Sequence, residues 1–263
     1  MRDKLLIGRS IDTGSWIHAL DPRFKLAAML LYVVVIVLVS SWPDMLITAL
    51  FSILMMWSTR ISFRYYLKAM KPLRFLMLFI FIVQLLTVKT GEIWFSVGSF
   101  HLYTEGLEIG LLSVLRMALL VSFTAILTFT TTPGKLNLGL EGVLKPLKKI
   151  GMHPERLSLM ISIALRFIPT ILDETHKILK AQASRGADLK ELPWKDKAKM
   201  LVSLLVPVTV SAFRRAQDLI HSMESRGFVI NEPRTSLYRL TWAAKDIAFI
   251  FLFIALGAAV LVV

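Results

Sequence analysis

Residues Leu107–Phe129 read LEIGLLSVLRMALLVSFTAILTF, a long apolar run interrupted by two charged side chains, Glu108 and Arg116. A helix of this length rises about 35 Å at 1.5 Å per residue, enough to cross the ~30 Å hydrocarbon layer of a bilayer. Four further runs can each be extended to a spanning length: Leu26–Trp42, Met45–Ser58, Phe75–Val88 and Ile247–Val263. The sequence therefore predicts an all-α integral membrane protein with about five transmembrane helices.

The composition supports a membrane location. The chain has 263 residues, of which 56% are hydrophobic and 19% charged, with a net charge of +13 and no cysteine. A soluble domain is about a quarter charged, and a nucleic-acid binder this basic would not carry so much apolar sequence. The lipid bilayer is thus an expected partner and nucleic acid is not. Without cysteine, disulfide frameworks and thiolate metal sites are excluded.

The basic residues indicate the orientation. Residues 1–25 and 59–74 hold five each and residues 133–245 hold nineteen, whereas 40–45 hold none and 89–108 only Lys89. Because cytoplasmic segments of membrane proteins are enriched in Lys and Arg, the N-terminus and the long 133–245 region are expected in the cytoplasm. With an odd number of spans, the C-terminus is extracellular.

Two shorter runs, Leu157–Leu172 and Met200–Phe213, leave a seven-span alternative. If both crossed the membrane, residues 173–199 would lie outside with seven basic side chains, against the positive-inside rule. Five spans are therefore preferred. The predicted organisation is a four-span bundle over residues 1–132, a cytoplasmic region over 133–242, and a last transmembrane helix over 243–263.

Two long helices are predicted in the cytoplasmic region. One begins near Pro154 and meets no glycine until Gly186, and the other begins after Pro193 and meets none until Gly227. Each would have about 30 residues and a length of about 45 Å. Each has an apolar first half with one internal proline, Pro169 or Pro207, that should bend it.

The second halves of both helices are amphipathic and should lie along the membrane surface or against the spans. On one face of the first helix fall Ile171, Thr175, Ile178 and Gln182; on one face of the second fall Val210, Phe213, Gln217 and Ile220. Arg214 and Arg215 are placed away from the second face. The adjacent acids Asp173 and Glu174 are interpreted as a solvated surface.

Both helices end in the same three residues, Ser184-Arg185-Gly186 and Ser225-Arg226-Gly227, 41 positions apart. One interpretation is a helix cap, with glycine in the left-handed conformation and arginine at the negative end of the dipole. The repetition favours a second interpretation, a pair of cationic tips that insert into equivalent acidic grooves of a partner. The capping geometry holds under both.

Several segments together resemble the transmembrane T component of energy-coupling factor (ECF) transporters. They are LDPRFKL at Leu20–Leu26, SIALRFIP at Ser162–Pro169, AQASRG at Ala181–Gly186 and MESRG at Met223–Gly227. The resemblance covers nearly the whole chain. It implies a non-catalytic scaffold in the bacterial cell membrane, whose coupling helices dock through Arg185 and Arg226 into two ABC-type ATPase subunits. It also implies a substrate-binding S component as partner in vitamin or micronutrient uptake.

Catalytic motifs do not accompany these features. The sequence has no phosphate-binding G-x-x-x-x-G-K-[ST] motif, and its histidines show no metal-ligand spacing, so no cofactor is expected in this chain. ATP and Mg²⁺ would be held by the partner ATPases. A conventional ABC importer permease with its own translocation path remains the alternative, and a polytopic membrane enzyme is disfavoured.

Two further features, in and next to the run Leu107–Phe129, lead to predictions about helix packing. Arg116 is costly within a span unless it contacts protein or its charge reaches the interface, and both interpretations stay open. Gly106 and Gly110 form a G-x-x-x-G pattern that hints weakly at close helix packing.

Overall fold

The computed structural model describes residues 11–97, 100–185, 193–229, 232 and 242–262. Its helices are α1 Pro22–Leu38, α2 Trp42–Ser58, α3 Phe63–Met70, α4 Arg74–Thr87, α5 Thr104–Thr130, α6 Pro133–Leu144, α7 Pro154–Ser184, α8 Trp194–Glu224 and α9 Ala244–Val262. Short 3₁₀ turns follow α3 and α6. Strands β1 Ile93–Val97 and β2 Phe100–Tyr103 pair antiparallel between α4 and α5, a small hairpin that the sequence analysis did not predict.

Each of the five predicted spans is helical, which confirms the all-α membrane fold. Among the residues that the structure describes, three segments are long and apolar enough to cross a membrane: Phe63–Thr87, which joins α3 to α4, with 25 residues, Thr104–Thr130 with 27, and Ala244–Val262 with 19. The helices α1 and α2 are shorter, at 17 residues each.

Local capping explains where α1 and α2 begin. The Asp21 carboxylate accepts a hydrogen bond from the main-chain nitrogen of Arg23 at 2.9 Å, and Pro22 occupies the first helical position, where its missing N–H costs nothing. Ser41 and Asp44 form a capping box at the start of α2. Only residues 39–41 separate the two helices.

The core of the bundle is aromatic. The ring of Tyr32 in α1 stacks on Phe123 of α5 at 4.2 Å, and both contact the fully buried Phe253 of α9 edge-on. The Tyr32 hydroxyl is 2.6 Å from Ser52 Oγ of α2. This cluster joins four helices around one buried polar contact, which satisfies the hydroxyl inside an apolar core.

Glycine permits the close approach of α5 to α4. A Cβ atom at Gly106 would lie 3.3 Å from the main-chain oxygen of Val88, and one at Gly110 would lie 3.1 Å from Phe81. The G-x-x-x-G pattern therefore faces the neighbouring helix, as small residues do in membrane helix pairs.

The chain divides into two compact units. One contains residues 1–158 and 240–263, and the other contains residues 159–239, with most of α7 and all of α8.

Candidate functional site

The helices α7 and α8 have the same length, 31 residues, or about 46 Å. Both continue through their internal prolines, Pro169 and Pro207. The two long helices are therefore confirmed. The first turn of α7 is held by α6, because Asn137 donates a hydrogen bond from Nδ2 to the main-chain oxygen of Ser158 at 2.8 Å.

The ends of both helices are exposed. Arg185 directly follows the last residue of α7, and Arg226 lies two positions after the last residue of α8; both side chains are open to solvent. Gly227 has a φ of +74°, donates to the Glu224 oxygen at 2.9 Å, and is followed by a Phe228 nitrogen that donates to the Met223 oxygen at 3.0 Å. These two bonds form a Schellman cap, so the second tip has the geometry of a capped helix end.

The first tip is described only in part. Ser184 and Arg185 are placed, with the Arg185 nitrogen 3.0 Å from the Gln182 oxygen, whereas Gly186 lies outside the described residues. A docking role for Ser184, Arg185, Gly186, Ser225, Arg226 and Gly227 remains a prediction.

A polar contact joins α7 to α8. The carboxylate of Glu174 accepts from Ser211 Oγ at 2.5 Å on one oxygen, and from Arg215 Nη2 at 2.8 Å and Nε at 3.1 Å on the other. The side chains of Glu174 and Arg215 are 27% and 40% exposed. The Ser211 hydroxyl first, and Arg215 second, hold the pKa of Glu174 below its ordinary value.

This contact corrects one sequence interpretation. Glu174 was expected on a solvated surface, but it binds Ser211 and Arg215 of the other helix. Arg215 was placed away from the face of Val210, Phe213 and Ile220, and it is this other side of α8 that contacts α7. Of the adjacent acids, only Asp173 is exposed. On α8, Val210, Phe213 and Ile220 are 46%, 68% and 51% exposed. The side of α8 that contacts α7 is thus the polar one, because Glu174 and Arg215 supply each other's hydrogen-bond partners there. The apolar side chains of α8 remain exposed.

Arg116 lies inside the bundle. Its Nη2 donates to the main-chain oxygen of Val39, the C-cap of α1, and its side chain is partly buried. The Arg116 guanidinium thus donates to a carbonyl at the C-terminal end of α1, where carbonyls have no hydrogen-bond partner within the helix. The contact is with protein rather than with the membrane interface.

A second buried polar cluster lies at the other end of α1, within the segment Leu20–Leu26. Lys25 is 5% exposed, and its Nζ is 3.3 Å from the Thr130 oxygen and 3.2 Å from Thr131 Oγ1, at the end of α5. Asp246, 1% exposed, accepts from the main-chain nitrogens of Asp21 at 2.9 Å and Ala243 at 3.0 Å.

Sequence reasoning missed the contacts of this cluster. The available signal was the charged pair Asp21 and Lys25 at the very start of an apolar helix, matched by Asp246 at the start of the last one. Charged side chains occur within the membrane when they have ion-pair or hydrogen-bond partners in the protein. The cluster ties α1, α5 and α9 together at one end.

Comparison with known proteins agrees with this architecture. The family model described as cobalt transport protein, CbiQ, matches residues 13–237. The chain is 41% identical over 258 residues to the energy-coupling factor transporter transmembrane protein EcfT of Bacillus subtilis (strain 168), covering 98% of this chain and 97% of that protein. Proteins of the same name from Exiguobacterium sibiricum and Streptococcus thermophilus are each 37% identical, and the alignments cover 96% and 97% of both partners.

These similarities extend over the bundle and both long helices, and they do not favour a conventional importer permease. Together with the apolar helices, they establish a multi-pass membrane protein that takes part in transport and is not an enzyme. The chain therefore belongs to the CbiQ family of transport proteins, as the transmembrane T component that serves as scaffold of an energy-coupling factor transporter.

Proposed function

We propose that this T component couples two ABC-type ATPase subunits to a substrate-binding S component in the membrane. ATP and Mg²⁺ are bound and used in the ATPases, and the S component carries a vitamin or another micronutrient. The chain lies in the bacterial cell membrane with its N-terminus in the cytoplasm and its C-terminus outside. The helices α7 and α8 transmit ATPase movement to the S component.

The observation that carries this proposal is the pair of equal helices with an exposed arginine at each end. Arg185 and Arg226 sit in the same Ser-Arg-Gly context, and each terminates 31 helical residues. Arginine presents five donors in a planar fork, which suits the carboxylates of an acidic groove. Two equal tips fit two equivalent grooves, as a pair of ATPases provides.

The proposed surface for the S component is the apolar side of α8. Leu201, Val202, Leu205 and Val206 are 55–68% exposed and recur at the spacing of one helical face. On α7, Met160 and Ile168 are likewise 65% and 50% exposed. Apolar side chains of this kind re-pack easily against different partners, which suits an exchangeable membrane subunit.

The test is charge reversal at the tips. Arg185→Glu or Arg226→Glu should each release one ATPase from the purified complex, and the double variant should release both and abolish uptake. Arg→Ala should weaken ATPase binding by about 30-fold or more, because a desolvated charge pair at an interface is lost. Arg→Lys should restore binding only in part, since a point charge does not reproduce the fork.

Lys199→Glu is the matched control, because Lys199 is an exposed cation on α8 away from the tip. It should leave ATPase binding and uptake unchanged. A double Arg→Glu variant that keeps both ATPases and full uptake would show that the tips are helix caps only.

A further inference from the structure

The contact between α7 and α8 follows the internal repeat of the chain. The two Ser-Arg-Gly tips are offset by 41 residues, and Glu174 and Arg215 are offset by the same number, so they occupy equivalent positions of the two helices. Each lies 11 residues before the arginine of its own tip. Along an α-helix this separation is about 16 Å. The two arms from contact to tip are equal.

The contact has directional bonds on both oxygens of one carboxylate. Ser211 and Arg215 are four residues apart and therefore lie on the same face of α8, where each binds a different oxygen of Glu174. Sliding one helix along the other by a single turn, 5.4 Å, would break every one of these bonds. All of these bonds go to a single side chain of α7, so a change of angle between the helices can be taken up by the side-chain torsions of Glu174, whereas a slide of one turn exceeds their reach.

From this geometry we propose that Glu174, Ser211 and Arg215 form the pivot of the two long helices, a polar clasp that fixes their register while their tips move. The inference rests on the proposed function in one respect, which is that the ATPases apply force to the helices at their tips. Because the arms are equal, rotation of either helix by the same angle about the contact moves its tip by the same distance. Polar contacts suit this task because hydrogen-bonding geometry specifies one register, whereas apolar contacts re-pack.

The exposed apolar neighbours agree with this assignment. Val210 and Phe213 flank Ser211 along the chain but are 46% and 68% exposed, and Leu172 beside Glu174 is 39% exposed. The clasp therefore takes the polar face of α8 and leaves its apolar face available. A change of angle at the clasp would reorient that apolar face toward a membrane partner.

The experiment uses the full chain, first alone and then in the assembled transporter. Because the chain lacks cysteine, spin labels at Ser184→Cys and Ser225→Cys report the distance between the tips in the free chain, and the assembled transporter is tested without labels. Glu174→Gln and Arg215→Gln should broaden the distance distribution of the free chain. In the complex, both ATPases should remain bound and hydrolysis should continue, while uptake per ATP hydrolysed falls by about tenfold.

Matched controls stand beside each residue of the pair. Asp173→Asn and Arg214→Gln change exposed charges one position away and should alter neither the distances nor the uptake ratio. The exchange Glu174→Arg with Arg215→Glu should restore both the narrow distribution and the ratio, and Ser211→Ala should have a smaller effect than Glu174→Gln.

Three results separate the possibilities. Unchanged distances in Glu174→Gln and Arg215→Gln overturn the clasp. Broadened distances with an unchanged uptake ratio mean a passive brace, and they overturn the pivot. If instead Arg185→Glu with Arg226→Glu keeps the ATPases bound, the proposed function fails, while the label distances still report on the clasp itself.

Discussion

The main-chain nitrogen of Asp21 donates a hydrogen bond to the Oδ1 atom of Asp246, which lies 225 residues further along the chain, at 2.9 Å. This bond joins the start of the first membrane helix to the start of the last. Since Asp246 also caps its own helix through the Ala243 nitrogen, one carboxylate satisfies one buried and one partly buried donor.

Asp246→Ala should therefore destabilise the protein by about 1–3 kcal/mol, because the buried N–H of Asp21 and the partly buried N–H of Ala243 lose their acceptor. The thermal midpoint of the purified chain in detergent measures the loss. Lys245→Ala, at the exposed neighbouring position, is the control and should have little effect. Equal midpoints for the two variants would contradict a structural role for the bond.

Gly139 in α6 should not tolerate a side chain. A Cβ atom there would lie 2.9 Å from the Cβ of Pro22 and 3.0 Å from its main-chain carbon and oxygen, none of which can rotate away. Gly139→Ala should cost about 1–3 kcal/mol through overpacking. In the same helix a Cβ at Gly134 meets no atom within 4 Å, so Gly134→Ala should be neutral or stabilising. Thermal unfolding of both variants tests the contrast, and similar losses would refute it.

Arg116→Leu should also destabilise the bundle. The Val39 oxygen would lose its donor at the end of α1, at a cost of about 1–3 kcal/mol. Met117→Leu changes the adjacent side chain with little change in volume and serves as control. If Arg116→Leu melts at the parental temperature, the hydrogen bond contributes nothing to the fold.

The clasp between α7 and α8 should persist over the neutral and mildly acidic range. Ser211 and Arg215 hold the pKa of Glu174 below its ordinary value of 4.5. The contact therefore contributes fully to stability above about pH 4.5, and this contribution is lost as the pH falls through the lowered pKa. The distance distribution between labels at residues 184 and 225 should thus be constant from about pH 8 to about pH 5. Glu174→Gln should give a broad distribution at every pH, and broadening of the parent near neutral pH would disprove the expectation.

The five-span topology can be tested with single cysteines. Those at Ser184 and Ser225 should react with an impermeant thiol reagent only from the cytoplasmic side. One at Thr90, an exposed residue after α4, should react only from outside. External labelling at Ser184 would support seven spans instead.

The membrane helices and the two long helices could be predicted from the sequence because their signals are local. Run length is sufficient to locate a span, and Pro154, Pro193 and the two glycines mark helix ends within a few residues. The same local signals gave no account of the hairpin Ile93–Tyr103, whose strands of five and four residues are too short for a periodic pattern.

The polar contacts could not be predicted, for a different reason. Glu174 with Arg215, and Asp21 with Asp246, join residues 41 and 225 positions apart. On a single amphipathic helix, a charged side chain that faces water follows the same pattern as one that faces a second helix. In the sequence, an exposed apolar face likewise looks like a core face, as Val210 and Phe213 illustrate with exposures of 46% and 68%.

The unequal lengths of the membrane helices have a consequence for the surrounding lipid. Seventeen residues make α1 and α2 about 26 Å long, whereas the 27 residues of α5 reach about 40 Å. A hydrocarbon layer near 30 Å is thicker than the first two helices are long and thinner than the third. The bilayer is therefore expected to thin beside α1 and α2, while α5 tilts to bury its apolar length. The protein thus imposes hydrophobic mismatch of opposite sign within a single bundle.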